Sequence, residues 1–425
     1  MKVETNSAVS VGLSGLQDSF RALRHRDFRL YTAGQSVSLI GTWMQSVAQS
    51  WLVYRLTHSE SMLGITLFAT YIPVLLLGPL GGMAADRFSR KWIVFTTQLL
   101  ALLQALTLAA LTWSGRVTAY HVIALAAVVG VISAFDIPGR QTLFIQMVGR
   151  QDLISAISLN SAVFNLSRII GPSLAGLVVA AFGEAVCFTI NAASFLAMLA
   201  CVASMRLPHV INPLGKGGSG SLAEGFRYAW RSRELRLLLV MSGLLNIGYA
   251  PLLALGPFFA DDIFRKGSAG LGFLLGAMGI GAVIGVVHLA RYKGIRQLPG
   301  IILSSSLLMG ASLAVFGLSP WFSLSLFMMM CIGFSIMRQN AGGNSLIQTT
   351  VPDEFRGRLM ALYTMFVTGL LPFGSLAAGF LADRFGPRPV VFSAGVLCLA
   401  GGIAFRFAMP AFQAWVHQQE EVCLV

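Results

Sequence analysis

The chain has 425 residues, 56% of them hydrophobic and only 11% charged, with a mean hydropathy of +0.74. Soluble domains carry about 25% charged residues, so this composition excludes a soluble globular protein and points to an integral membrane one. The formal charge of +13 does not imply nucleic acid as a partner, because a chain this apolar has no soluble basic face to offer.

Residues 1–27 read as a cytoplasmic N-terminus without the apolar run of a cleaved signal peptide. Within Leu16–Leu30, Leu16, Phe20 and Leu23 share one helical face among Arg21, Arg24 and Arg26, which predicts an interfacial amphipathic helix. Apolar runs long enough for a hydrocarbon core of about 30 Å then recur. They fall near 28–54, 60–83, 91–114, 118–147, 153–182 and 184–206. A second set follows near 235–260, 268–290, 297–318, 321–348, 357–381 and 388–408. The expected fold is therefore all-α, with twelve transmembrane helices in two halves. The N-terminal half covers 28–206, a linker with the Gly/Ser tract PLGKGGSGS covers 207–233, the C-terminal half covers 234–408, and a tail covers 409–425.

Lysine and arginine set the orientation. With the N-terminus inside, the inner segments hold 21 of the 30 Lys and Arg residues and the outer loops 6. That bias puts both termini in the cytoplasm. The remaining three, Arg140, Arg168 and Arg338, lie inside spans. The halves also look like a repeat. A shift of 203 residues aligns Gly171 with Gly374, Ala175 with Ala378, Gly176 with Gly379, and Phe182-Gly183 with Phe385-Gly386. Repeated halves are a transporter architecture.

Between spans two and three stands GGMAADRFSRK, residues 81–91, where an acid, Asp86, sits among Arg87, Arg90 and Lys91 at the membrane edge. The stretch resembles the loop signature of the major facilitator superfamily, with Gly82, Asp86, Arg87, Arg90 and Lys91 matching and Ser89 replacing a glycine. The resemblance implies a cytoplasmic gate. Asp86 would face the N-terminus of span eleven, and Arg90 would pair with Asp136 on span four. In span five, GPSLAG (171–176) resembles that superfamily's antiporter motif. Gly171, Pro172 and Gly176 match, Ala175 stands for one glycine, and Ser158 and Ser167 stand for glycines upstream. This motif accompanies export. Its plainer reading is a proline kink with small-residue packing.

Arg168 lies near the middle of span five, where a charge costs at least about 2.5–3.5 kcal/mol, so it should face water or a partner. Polar residues at helical spacing accompany it: Gln35, Ser38, Thr42, Gln45 and Gln49 on span one, and Ser161 and Asn165 on span five. Span seven adds Ser242, Asn246 and Tyr249, and span ten Arg338, Asn340 and Asn344. Polar faces on four spans predict a central cavity. In it Arg168 and Arg338 attract an anionic or phenolate-bearing substrate, which Gln35, Thr42, Gln45, Gln49, Asn165, Asn246, Tyr249 and Asn344 help to bind. Asp261-Asp262 reads as a solvated outer loop. No metal cluster, phosphate loop or nucleophile constellation is found, so neither enzyme nor cofactor is expected.

GTWMQSVAQSWLVYRLTHS (41–59), FDIPGRQTLFIQMV (135–148), AISLNSAVFNLSRIIGPSLAG (156–176) and VPDEFRGRLMALYTM (351–365) resemble one branch of the superfamily, the bacterial exporters akin to the enterobactin exporter and macrolide-efflux proteins. The resemblance implies a monomeric exporter of the bacterial inner membrane, moving a siderophore-like or drug-like molecule by alternating access with the proton gradient as energy source. The competing readings are nutrient uptake by the same fold and a non-transporting membrane sensor or scaffold.

Overall fold

Helix boundaries fall where the apolar runs meet capping residues or glycine. The computed structural model describes residues 20–206, 222–292 and 294–424, and among them are fourteen α-helices and no strand. The first half comprises α1 (Arg26–Thr57), α2 (Glu60–Arg87), α3 (Arg90–Trp113), α4 (Ala119–Val148), α5 (Leu153–Phe182) and α6 (Glu184–Ala203). A short helix, α7 (Leu222–Arg231), precedes the second half. That half comprises α8 (Arg233–Phe258), α9 (Gly267–Ala290), α10 (Leu298–Leu318), α11 (Phe322–Thr350), the pair α12 (Asp353–Thr368) and α13 (Leu371–Phe385), and α14 (Pro387–Leu424). Ser59 caps α2 by accepting from the Met62 N–H, and Thr118 with His121 forms a capping box on α4. Helices α5 and α13 both end on a glycine with φ of +84°, Gly183 and Gly386, where an L side chain would be strained.

Eleven stretches are long and apolar enough to cross a bilayer, α12 and α13 counting together over Glu354–Phe385. The twelfth span is α1. Its 32 residues suffice, although its Gln, Ser and Thr stripe makes it less apolar than the other eleven. The protein is a multi-pass membrane protein of twelve spans.

Packing repeats between the halves. Helix α1 lies on α5 and α6 as α8 lies on α13 and α14, and α2 pairs with α4 as α9 pairs with α11. Individual contacts repeat as well. Gly171 abuts Trp43 and Ile40 of α1, and Gly374 abuts Ala250 and Ile247 of α8. Gly41 sits against Asn191 and Ser194, and Gly248 against Ala394 and Cys398. The aligned small residues are the sites where backbones cross closely.

Two seams join the halves, α2 with α13 and α5 with α9. The end of the bundle where α1 begins and α14 finishes is here termed the terminal face, and the other the far face. Along α2, contacts with α13 start at the far face, where the Ser61 N–H donates to Asp383 at 3.1 Å. They continue through Gly64 against Gly379, and Phe68 against Phe373. The last is Leu75 against Gly369, while at Gly78 and Gly82 an added methyl would meet open space. Along α5 the seam runs from Gly176 to Arg168, whose neighbours are Gly272, Gly276 and Gly279. Toward the terminal face Ile154, Ile157 and Ser161 are exposed. The halves are thus closed against each other at the far face and parted at the terminal face.

Several expectations are corrected. Leu16–Leu30 is not one helix. Residues 1–19 lie outside those described, and Arg21–Arg24 form a single 3-10 turn that ends at extended His25. The Ala22 N–H donates to Ser155, and the His25 ring hydrogen-bonds Asp152 at 2.8 Å, which docks this turn on the start of α5. Residues 207–221 of the linker also lie outside the described part, whereas 222–231 are helical. Span eleven is broken at Gly369-Leu370, just before Pro372, because proline cannot supply the N–H that a continuous helix needs. Helix α14 runs on through residues expected as a tail, with Phe412 and Val416 buried. Asp261 and Asp262 are not in a loop, although Asp262 is exposed as expected. They belong to a π-turn, Phe259–Ile263, that continues α8. There the Tyr54 hydroxyl of α1 donates toward Asp261 at 2.9 Å and lies 3.1 Å from Asp262.

Candidate functional site

Arg168 stands where the parted space meets the closed seam. Its Nη2 donates to the Tyr249 hydroxyl at 3.2 Å, and its guanidinium carbon lies 5.8 Å from the Trp43 ring centroid, within cation–π reach. Tyr249 in turn donates to the Met278 sulfur at 3.2 Å, and Tyr71 of α2 is in electrostatic range of both Arg168 and Tyr249. Three spans of one half and two of the other so supply one cluster. The Arg168 Nε is buried and has no partner among the described residues, nor does Asn165 Oδ1 one turn away. No carboxylate of the described residues forms an ion pair with Arg168. An unmatched buried donor costs about 1–3 kcal/mol, which a ligand anion would relieve.

The second half adds Asn246, whose amide donates to Ser242 at 2.8 Å and approaches Asn340 at 3.4 Å, while the Tyr363 hydroxyl donates to the Asn340 carbonyl at 2.8 Å. Tyr71 and Met278 were not among the expected residues, whereas Asn340 was expected on the polar face of span ten. Tyr71 gave no polar-stripe signal, since its α2 neighbours are apolar, and Met278 reads in sequence as ordinary core.

The polar stripe of α1 divides. Gln45 is bonded inside the first half, donating to Gln104 at 2.9 Å and accepting from Asn191 at 2.7 Å. It ties α1 to α3 and α6 and is not a cavity residue. Gln35 and Gln49 are buried, Gln35 with an unpartnered Oε1, whereas Thr42 is exposed and returns its hydroxyl to the Ser38 carbonyl. Arg338 also departs from expectation. It lies 7% exposed between α9, α10 and α11, donating to Ser304 at 3.1 Å and resting 4.8 Å from the Phe334 centroid. Its partners belong wholly to the second half. Asn344 accepts from Gln348 one turn on, at 2.6 Å.

The loop signature divides in the same way. Asp86 and Arg87 are exposed at the parted terminal face, and Asp86 has no hydrogen bond or ion pair among the described residues. The expected Arg90–Asp136 pair is not formed. Asp136 is bound to Arg140 one turn on through Oδ2, and its Oδ1 accepts from Thr97 at 2.7 Å and Gln98 at 3.2 Å. Arg90 instead donates to the Thr142 carbonyl at 3.3 Å. Lys91 caps the end of α6 through the Ala203 and Met205 carbonyls, at 3.1 and 2.6 Å. In span five, Ser167, Pro172 and Ala175 are buried, Gly171 faces α1, and Gly176 faces Gly272 of α9, with Ser268 donating to the Gly176 carbonyl at 3.2 Å. The motif thus makes two contacts, with α1 of its own half through Gly171 and with α9 across the seam through Pro172 and Gly176.

Residues 17–422 match the family described as transmembrane secretion effector. The chain belongs to that family. It is a membrane efflux or secretion transporter of the major facilitator type, not an enzyme. The multidrug efflux pump Tap of Mycolicibacterium fortuitum is 27% identical over 89% of this chain and 94% of its own. A staphyloferrin A transporter of Staphylococcus aureus is 25% identical over 82% and 87%. Macrolide efflux protein A of Streptococcus pyogenes is 23% identical over 88% and 94%. Among solved structures, a nucleoside transporter, NupG, superposes with a TM-score of 0.69 at 16% identity, covering 90% of this chain and 99% of that one. A peptide transporter, POT, bound to sulfate gives 0.72 at 14% identity over 92% and 96%. At such identities these structures establish the transporter's fold alone.

Proposed function

We propose that this transporter exports an anionic or phenolate-bearing small molecule, siderophore-like or drug-like, across the bacterial cytoplasmic membrane in exchange for protons. The observation that carries the reading is Arg168. It is a half-buried cation without a carboxylate partner among the described residues, framed by Trp43 and Tyr249 and with an unmatched Nε. A planar anion fits that frame, since the guanidinium can bind it bidentately while the rings stack on it. The siderophore and drug cargoes named for the relatives agree in kind. Alternating access is supported by a structure closed at one face and parted at the other, with Asp86 waiting at the parted side. The Lys and Arg bias supports a cytoplasmic position for that side and for both termini.

Inverted vesicles test direction and energetics together. Anionic cargo should accumulate inside them when a pH gradient is imposed and should stop accumulating on addition of an uncoupler. Concentrative transport with both the pH gradient and the membrane potential collapsed would exclude proton exchange. For the site, Arg168→Gln should weaken binding of an anionic ligand by about 1.5–3 kcal/mol, leave a neutral ligand nearly unchanged, and be only partly rescued by Arg168→Lys. Equal losses for both ligands beside a large drop in melting temperature would make Arg168 a brace for the Pro172 region instead.

A further inference from the structure

Helix α7 has three faces with different chemistry. One face is docked on the protein. Gly225 meets the Arg358 side chain, Tyr228 stacks on Phe355 with centroids 4.4 Å apart, and Glu224 accepts from Arg358 at 2.9 Å. A second face carries Phe226 and Trp230, stacked on each other at 4.8 Å and 44% and 41% exposed. The third carries Arg227 and Arg231, exposed and without any hydrogen bond or ion pair among the described residues. Only Ser232 separates α7 from α8, so the helix lies at the rim of the terminal face, where the chain enters the bilayer.

Two exposed stacked rings beside two free arginines are costly in water and fit the boundary between acyl chains and headgroups. Aromatic rings prefer that level, and guanidinium groups there meet phosphate oxygens. We propose that α7 is a binding site for anionic lipid headgroups, with Phe226 and Trp230 inserted at headgroup depth and Arg227 and Arg231 holding the phosphate. Charge complementarity selects the occupant. The exposed face offers cations and rings. Of the acids nearby, Glu224 is engaged with Arg358 and Glu234 with the Ser232 hydroxyl, while Glu354 lies beside Tyr228 on the docked side. The docked face ties this site to α12, the half of span eleven at the terminal face, so a bound lipid would brace the segment on which that face must close. The site itself depends on neither the cargo nor the direction of transport.

The test uses the full chain in phosphatidylcholine vesicles containing brominated phosphatidylglycerol or, in parallel, brominated phosphatidylcholine. The Trp230 emission is isolated by difference from Trp230→Phe. Brominated phosphatidylglycerol should quench Trp230 preferentially. The double variant Arg227→Gln/Arg231→Gln should reduce that preference by about fivefold per arginine without altering the melting temperature. Equal quenching by the two lipids in the unmodified protein would overturn the proposal. So would a preference that survives the double substitution, or a Trp230 that neither lipid quenches because another surface covers it.

Discussion

Substituting Gly272 tests whether the α5–α9 seam belongs to one conformational state. A methyl added there would lie 2.6 Å from the Pro172 carbonyl oxygen and 2.9 Å from Gly176 Cα, both backbone atoms that no rotamer change can move. Overpacking of this kind costs about 1–3 kcal/mol. If the two halves rock, the cost falls only on the state in which the far face is closed, because the seam is open in the other. Gly272→Ala should then shift the population toward the far-open state by roughly five- to a hundredfold. Gly78→Ala is the control, since its methyl meets open space in this state, and both changes bring the same gain in helix propensity. Spin labels at Phe182 and Lys266, both exposed near the far end of the seam, would report the change as a longer inter-label distance. An unaltered distance distribution in Gly272→Ala, or an equal shift in Gly78→Ala, would refute the reasoning.

Asp86→Asn should insert and melt normally, because Asp86 is exposed and makes no bond here, yet turnover should fall sharply; full transport would remove it from the gate. Asp136→Asn should lower stability by up to about 3–5 kcal/mol, by stranding the buried Arg140 guanidinium, as read from thermal unfolding in detergent. Replacing Asp136 and Arg140 together with apolar side chains should recover much of that loss. Gln45→Ala should cost about 1–3 kcal/mol for each of the Gln104 and Asn191 amides it leaves unpaired, while ligand affinity in the remaining folded protein stays unchanged. A selective affinity loss in Gln45→Ala would return that residue to the cavity.

Span count and the internal repeat were legible in the sequence, because they rest on local apolarity and on small residues at a fixed shift. The fate of individual polar residues was not. Gln45 and Thr42 lie on the same stripe, yet Gln45 closes a three-helix network while Thr42 stays exposed. The difference depends on Gln104 and Asn191 arriving from other spans. Asp136 illustrates the same limit. Sequence alone allows it either Arg90 or Arg140 as partner, and the i,i+4 geometry of a helix favours the nearer one while Thr97 and Gln98 occupy the other oxygen. Arg338 read as a cavity cation because it is central in span ten, but the Ser304 hydroxyl and the Phe334 ring draw it into its own half.

The repeat also locates what evolution of the two halves has made unequal. Positions that keep backbones close are retained in both, as Gly171 with Gly374 and Gly176 with Gly379. The charges and rings around Arg168 and Asp136 are not. The shift that pairs those glycines sets Arg168 against Leu371, and Asp136 against Gln339, a side chain buried with both amide atoms unpartnered among the described residues. The matching contacts of Gly171 and Gly374 likewise set Trp43 opposite Ala250. A symmetric scaffold therefore presents a one-sided site, with the cation and its indole in the first half and the Tyr249 hydroxyl and Asn246 amide in the second. A ligand held by Arg168 and bonded by groups of both halves would be gripped most fully only while the halves are close around it. That difference in grip between states is what an exporter needs if cargo binding is to favour the passage from one face to the other.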